Sequence, residues 1–235
     1  MSQMNQYVVI GAGGTASHLI HALVQYLQEG DLIHIWDADV VEEKNLKRQL
    51  FYPFEVGTHK AEAFAKRWAD VIEAHVAYVG EDNIERVIKD DDTVLICADN
   101  MAVRRLINER AKQLDNVVII NGGNEKISGS VQVYERSEGK NVTPPLDFAS
   151  PEFDPSNDEV DRSALSCAEI AVLPGGEQTI IANQTVAALM MAALWRGDDG
   201  VYLERGKAWT KITFDHADGQ VQTSDVRMLK GALSE

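Results

Sequence analysis

Short apolar runs and stretches of helical spacing alternate through the first half of the chain. Tyr7-Val8-Val9-Ile10 is a β-branched run that ends directly on Gly11-Ala12-Gly13-Gly14. Over 15–28, Leu19, Leu23 and Leu27 share one helical face, which predicts a helix. Leu32-Ile33-His34-Ile35-Trp36 predicts a second strand, 59–71 a helix and 75–79 a third strand. Thr93-Val94-Leu95-Ile96-Cys97 has the continuous apolar pattern of a strand buried on both faces of a sheet. A helix with a basic face is predicted over 101–114 and another buried strand over 117–120. Strands separated by helices imply βαβ units, right-handed crossovers and a parallel sheet.

The pattern then changes. Residues 127–136 have the character of an antiparallel strand. Residues 137–163 show no periodicity. They hold Pro144, Pro145, Pro151 and Pro155, with acids at Asp147, Glu152, Asp154, Asp158, Glu159 and Asp161 among others. A loop this long is either a functional crossover or a solvated linker, and it is expected to be among the most mobile parts of the chain. Beyond Cys167 and Pro174-Gly175-Gly176, an Ala- and Met-rich helix is predicted over 177–195. It is apolar nearly all round, so it is expected to pack inside the domain. Two strands over 207–214 and 219–224, joined at Ala217-Asp218-Gly219, complete the pattern. The expected fold is α/β: a Rossmann-like, mostly parallel sheet flanked by helices, with antiparallel strands in the C-terminal half. A single domain over 1–235 is expected, with a crossover loop at about 137–166.

Composition narrows the function classes. Hydrophobic residues are 45% and charged residues 25% of 235 positions, enough for a full core, so global disorder is excluded. Lys and Arg number 22 against 37 Asp and Glu, a net charge of −15. A surface this acidic is repelled by a phosphate backbone, so nucleic-acid binding is not expected, whereas a basic protein partner suits it. Cys97 and Cys167 are the two cysteines and no CxxC is present, so a cysteine-ligated site is excluded and no zinc is expected. A disulfide framework is not expected either. MSQMNQ has no leader-like stretch, and the longest apolar run, 187–195, is too short to span a bilayer. A cytoplasmic protein without membrane association is expected.

Candidate chemistry starts at the glycine loop between the first strand and first helix. Its glycines permit a tight turn and let a phosphate approach backbone N–H groups at a helix N-terminus. Asp37, at the end of the second strand, is placed to take the hydroxyls of a ribose. These features alone leave NAD, FAD and ATP open. Arg48 and Lys60 change the picture. A dinucleotide's pyrophosphate is satisfied largely by backbone N–H groups, whereas a triphosphate needs cationic side chains and a metal. Arg48 offers a planar fork for phosphate oxygens, and Lys60 a point charge at a helix start. Asp99-Asn100 follows a buried strand, where open α/β sheets bind ligands. A carboxylate there suits magnesium, and either residue equally suits the N-cap of the next helix.

Taken together and in order, Gly11-Ala12-Gly13-Gly14, Asp37-x-Asp39, Asn45-Leu46-Lys47-Arg48-Gln49, Gly57-x-x-Lys60 and Ala98-Asp99-Asn100 resemble the ThiF/MoeB/ubiquitin-activating superfamily. The match is strongest over the first half. The segments Ser166-Cys167-Ala168-Glu169 and Gly175-Gly176-Glu177-Gln178 are most similar to the ThiF-related proteins of plasmid-borne PRTRC cassettes. The resemblance implies an ATP- and Mg2+-dependent adenylyltransferase that activates the C-terminal carboxylate of a small ubiquitin-like or sulfur-carrier protein. It implies nucleotide contacts from Gly11, Gly13, Gly14, Asp37, Asp39, Asn45 and Gln49, and catalytic roles for Arg48, Lys60 and Asp99, with Asp99 on the metal. It further implies a homodimer, and a covalent role for Cys167 as an acceptor of the activated acyl group.

Several features depart from that pattern. The paired CxxC zinc ligands of many relatives are absent. No arginine precedes Arg48, which leaves Arg104 and Arg105 as the nearby candidates for an arginine finger. No rhodanese or ubiquitin-fold domain is expected after the adenylyltransferase-like part. Cys97, in an apolar strand, reads as an inert core thiol. Among the six histidines, His18 and His21 lie on the first helix and His59 precedes Lys60, and no pair has a metal-ligand pattern. A Rossmann-type oxidoreductase and a catalytically silent scaffold of the same fold are the alternatives.

Overall fold

The computed structural model describes residues 5–148, 150–154, 178–198 and 209–225. Cys167 and residues 155–166 of the predicted crossover loop lie outside them, whereas 137–148 and 150–154 are described and bury Thr143, Leu146, Ser150 and Phe153, so that part of the loop is packed against the domain rather than solvated. The elements in chain order are β1 (Gln6–Ile10), α1 (Gly14–Tyr26), β2 (Leu32–Trp36), α2 (Lys60–Arg67), β3 (Ile72–His75), α3 (Ile84–Val87) and β4 (Thr93–Ile96). They continue with α4 (Met101–Ala111), β5 (Val117–Asn124), β6 (Ser128–Ser137), β7 (Lys140–Asn141), α5 (Ile180–Asp198), β8 (Lys211–Asp215) and β9 (Gln220–Ser224). One nine-stranded sheet runs in the order β3-β2-β1-β4-β5-β6-β8-β9, with β7 beside β6. Strands β1 to β5 are parallel to one another, and β6 to β9 join antiparallel. The α/β class and the switch from parallel to antiparallel pairing are as the pattern predicts.

Period-two alternation divides the apolar side chains between two faces. Tyr7, Val9, Ile33, Ile35 and Leu95 pack with Leu19 and Leu23 of α1 and Val186 and Met190 of α5. Val8, Ile10, Val94, Ile96 and Ile119 pack with Ile84 of α3 and Ile107 and Ala111 of α4. The reversal of strand order between β1 and β4 opens a crevice at their carboxyl ends, where ligands of such sheets bind.

Three predicted elements are corrected. The third strand is Ile72–His75, because Ile33 to Trp36 of β2 register with Ile72 to His75. The chain then leaves the sheet, with Val76 and Tyr78 exposed and Val79 turned into the crevice. Strand β5 extends to Asn124 because β6 pairs along its whole length. Helix α5 is not packed inside all round. Ala182, Val186, Met190 and Leu194 are buried, but Ile181 and Trp195 on its outer side are 59% and 52% exposed. No helix among the described residues is long and apolar enough to cross a membrane.

Candidate nucleotide site

The crevice holds a cavity of about 400 Å³. Its floor is the turn from β1 into α1. Gly11 has φ +88°, and a Cβ there would approach Ala98 N to 2.9 Å, so glycine is required where this turn meets the β4–α4 turn. Gly13 caps α1 without a side-chain hydrogen bond, and a Cβ on it would meet nothing within 4 Å. The helix N-terminus, with its orphan N–H groups and positive dipole end, therefore opens onto the cavity through Gly13, Gly14 and Thr15.

One wall comes from β2. Asp37 is 8% exposed, and its carboxylate accepts hydrogen bonds from Ala12 N and Asp39 N, both at 2.7 Å. Burial raises its pKa, and the charge of Lys60 and the Ala12 N–H oppose that rise. Asp39 pairs with Lys60 Nζ at 2.7 Å and accepts from the Tyr78 hydroxyl. Burial alone would raise the Asp39 pKa, but the Lys60 and Tyr78 hydrogen bonds and the charges of Lys60 and Lys44 outweigh it, and the net shift is downward. Lys60 is 4% exposed at the start of α2, so its ammonium is held over the cavity rather than in solvent.

Arg48 and Gln49 leave a short 3-10 turn at Glu43–Lys47. Arg48 Nη1 donates to Gln178 Oε1 at 2.9 Å. Gln49 is 5% exposed, and its Oε1, although buried, has no hydrogen-bond partner among the described residues. Such an orphaned acceptor costs free energy unless something fills it. On the far wall, Asn100 caps α4 by accepting from Ala102 N and Val103 N, which leaves the cap independent of the Asp99 carboxylate.

Gly11, Gly13, Gly14, Asp37, Asp39, Arg48, Gln49, Lys60 and Asp99 therefore border one cavity, although their sequence positions span 89 residues. Asn45 does not border it. Its side-chain oxygen accepts from Glu42 N, and its carbonyl from Arg48 N and Gln49 N, so it shapes the turn that presents them. The arginine-finger candidates are corrected. Arg104 is 9% exposed and donates to Ala98 O, Asn121 Oδ1 and Gly122 O, whereas Arg105 donates to Phe153 O and Glu152 O. Neither guanidinium borders the cavity. Cys97 does border it, but surrounding apolar groups bury the thiol and push its pKa up to about 12, which fits an inert thiol.

A model of the ThiF family matches residues 2–195. The chain belongs to the ThiF family. This ThiF-family chain is 32% identical over 139 residues to the "adenylyltransferase and sulfurtransferase UBA4" of Yarrowia lipolytica, covering 56% of this chain and 34% of that protein. It is 29% identical over 140 residues to the "adenylyltransferase and sulfurtransferase MOCS3" of Drosophila persimilis, covering 56% and 30%. The matched region thus spans about a third of each curated relative. Among solved structures, E. coli MccB superposes with a TM-score of 0.71 at 20% identity, covering 94% of this chain and 62% of that one. PaaA gives 0.69 at 16%, covering 94% and 64%.

One polar network in the ThiF-family chain has no counterpart in its apolar pattern. Thr15 Oγ1 donates to Asn124 Oδ1, Asn124 Nδ2 donates to Asn183 Oδ1, and Asn183 Nδ2 donates to Arg48 O. Asn183 is fully buried on α5, and a Cβ on Gly14 would sit 2.2 Å from its Nδ2. Gly14→Ala is therefore expected to destabilise the fold by about 1–3 kcal/mol through overpacking, read as a lower urea midpoint at unchanged m. An unchanged midpoint would show that Asn183 can move aside.

Proposed function

We propose that the chain is an ATP-dependent adenylyltransferase acting on the C-terminal carboxylate of a small ubiquitin-like or sulfur-carrier protein. The observation that carries this reading is the convergence of Arg48, Lys60 and Asp99 on one cavity floored by a bare helix N-terminus. A nucleoside triphosphate fits that donor set. It brings anionic oxygens for the N–H groups and cations, and a donor group for the orphaned Gln49 Oε1. The names of the curated relatives support the same reaction class.

In this reading an oxygen of the carrier's carboxylate attacks the α-phosphorus. The bond from that phosphorus to the α,β-bridging oxygen breaks, and pyrophosphate carries away the electron pair. The chain contributes position and electrostatics rather than a strong base. Asp37 uses its remaining lone pairs for the ribose hydroxyls. Arg48 grips phosphate oxygens with its fork, exchanging its contact with Gln178. Lys60, fixed by Asp39, holds positive charge where the reacting phosphate gains negative charge. Asp99 would hold magnesium, which when bound neutralises phosphate charge and orients the leaving group. A homodimer is part of the proposal; sedimentation at micromolar concentration is expected to give a dimer, and monomer alone would contradict it.

Ligand choice separates this reading from a dinucleotide-dependent oxidoreductase. Calorimetry should show magnesium-dependent ATP binding at least about tenfold tighter than NADH or FAD binding, a difference of about 1.4 kcal/mol. Tighter binding of NADH or FAD would overturn it.

A further inference from the structure

We propose that His34, Glu73 and His75 form a binding site for a divalent transition-metal ion that favours imidazole and carboxylate ligands, with Zn2+ the best match. The three side chains stand on one face of the sheet edge. His34 and Trp36 alternate along β2, Glu73 and His75 along β3, and the register pairs His34 with Glu73 and Trp36 with His75. One ligand atom from each residue lies within 4.8 Å of the other two. His34 Nδ1 lies 3.1 Å from His75 Nε2 and 3.6 Å from Glu73 Oε2, and His75 Nε2 lies 3.6 Å from Glu73 Oε1. In a tetrahedral zinc site with bonds of about 2.0–2.2 Å, neighbouring ligand atoms are about 3.3–3.6 Å apart. Admitting an ion therefore needs a small opening between the two imidazoles and a turn of the Glu73 carboxylate that brings one oxygen to both.

Two supporting contacts fix the rings. His34 Nε2 lies 2.9 Å from Gln6 Oε1, an amide oxygen that can only accept. The proton of neutral His34 is thereby placed on Nε2, and the Nδ1 lone pair points to the centre of the three groups. This is the outer-shell arrangement of imidazole metal ligands. The His75 ring stacks on Trp36 at 4.1 Å between centroids and 7° between planes, which restricts its rotation. Access is open, since the side chains of His34 and His75 are 23% and 24% exposed and that of Glu73 is 56% exposed. Three protein ligands leave a fourth position for water or a ligand from another molecule. The site uses no cysteine, so it is compatible with the absence of CxxC pairs. Because Trp36 also borders the nucleotide cavity, an ion here would brace the β2 end that presents Asp37.

The test is titration of the metal-stripped full chain with Zn2+, and with Co2+ followed by visible absorption. One equivalent of Zn2+ should bind at micromolar Kd or tighter, and Co2+ should give a four-coordinate spectrum without a thiolate charge-transfer band. The pair His34→Ala and His75→Ala should weaken binding by at least about 100-fold, and Gln6→Leu, which touches no metal, by about tenfold. Glu73→Gln keeps the exposed side chain's shape and should also weaken binding, so the proposal stays testable if the double variant does not fold. Unchanged binding in folded variants, thiolate bands, or no Zn2+ binding below about 100 µM would overturn the site and leave a histidine–histidine hydrogen bond beside a carboxylate.

Discussion

Asp99→Ala is expected to abolish ATP–pyrophosphate exchange while leaving the fold intact. The carboxylate borders the cavity at the carboxyl end of β4, where it would hold magnesium and the ion would neutralise phosphate charge. The cap of α4 belongs to Asn100, so the substitution does not unwind the helix behind it. Asp99→Asn should behave alike, because it keeps the shape and removes the charge. Arg48→Ala should lower exchange by about 10²–10³-fold, the usual cost of removing one preorganised donor from a developing anion. Exchange measured at saturating ATP and Mg2+, with circular dichroism on each variant, reads these effects. Wild-type rates in folded Asp99→Ala and Arg48→Ala would refute the assigned roles.

Arg104→Met is expected to give the largest loss of stability. The guanidinium is buried between α4 and β5 and satisfies Ala98 O, Asn121 Oδ1 and Gly122 O, at 2.9, 2.8 and 2.8 Å. Methionine restores the apolar stem but leaves three acceptors without that donor. At about 1–3 kcal/mol for each acceptor left without a partner, and with partial relaxation, the loss should be about 3 kcal/mol. For a chain of this size that corresponds to a fall in Tm of roughly 6–12 °C. Because Ala98 precedes Asp99 and the Asp99 charge faces Arg104, exchange activity should fall as well. A Tm within about 2 °C of wild type would mean that these carbonyls find other donors, a stability change under about 1 kcal/mol.

Strands were legible where burial is two-sided. Tyr7-Val8-Val9-Ile10 and Thr93-Val94-Leu95-Ile96 lie in the middle of the sheet, and their apolar runs mark β1 and β4 directly. Strand β3 is an edge strand with the weakly apolar sequence Ile-Glu-Ala-His, whereas the following His-Val-Ala-Tyr-Val has the stronger strand pattern. Pairing with β2 decides the matter, and pairing is not a local property. The predicted strand at 75–79 left Glu73 outside the sheet, so its pairing with His34 was hidden. Gly11, Gly13, Gly14, Asp37, Lys60 and Asp99 were legible because each follows a strand or opens a helix, where backbone geometry dictates residue type, whereas Arg48 and Gln49 leave a 3-10 turn and stood out only by their chemistry and motif. Asn183 was not, since an asparagine in an apolar helix discloses nothing of partners 59 and 135 residues away. The Arg104 site shows the same limit, because charge pattern places an arginine on a helix face but does not say which way that face turns.

Adenylation of a carrier carboxylate is read most directly by isotope exchange between pyrophosphate and ATP in the presence of purified ubiquitin-like and sulfur-carrier proteins. Exchange should require Mg2+, require one such carrier with an intact C-terminal glycine, and disappear in Asp99→Ala. Magnesium-dependent ATP binding with no exchange across those carriers would contradict adenylation and identify the chain as a silent scaffold of the ThiF fold.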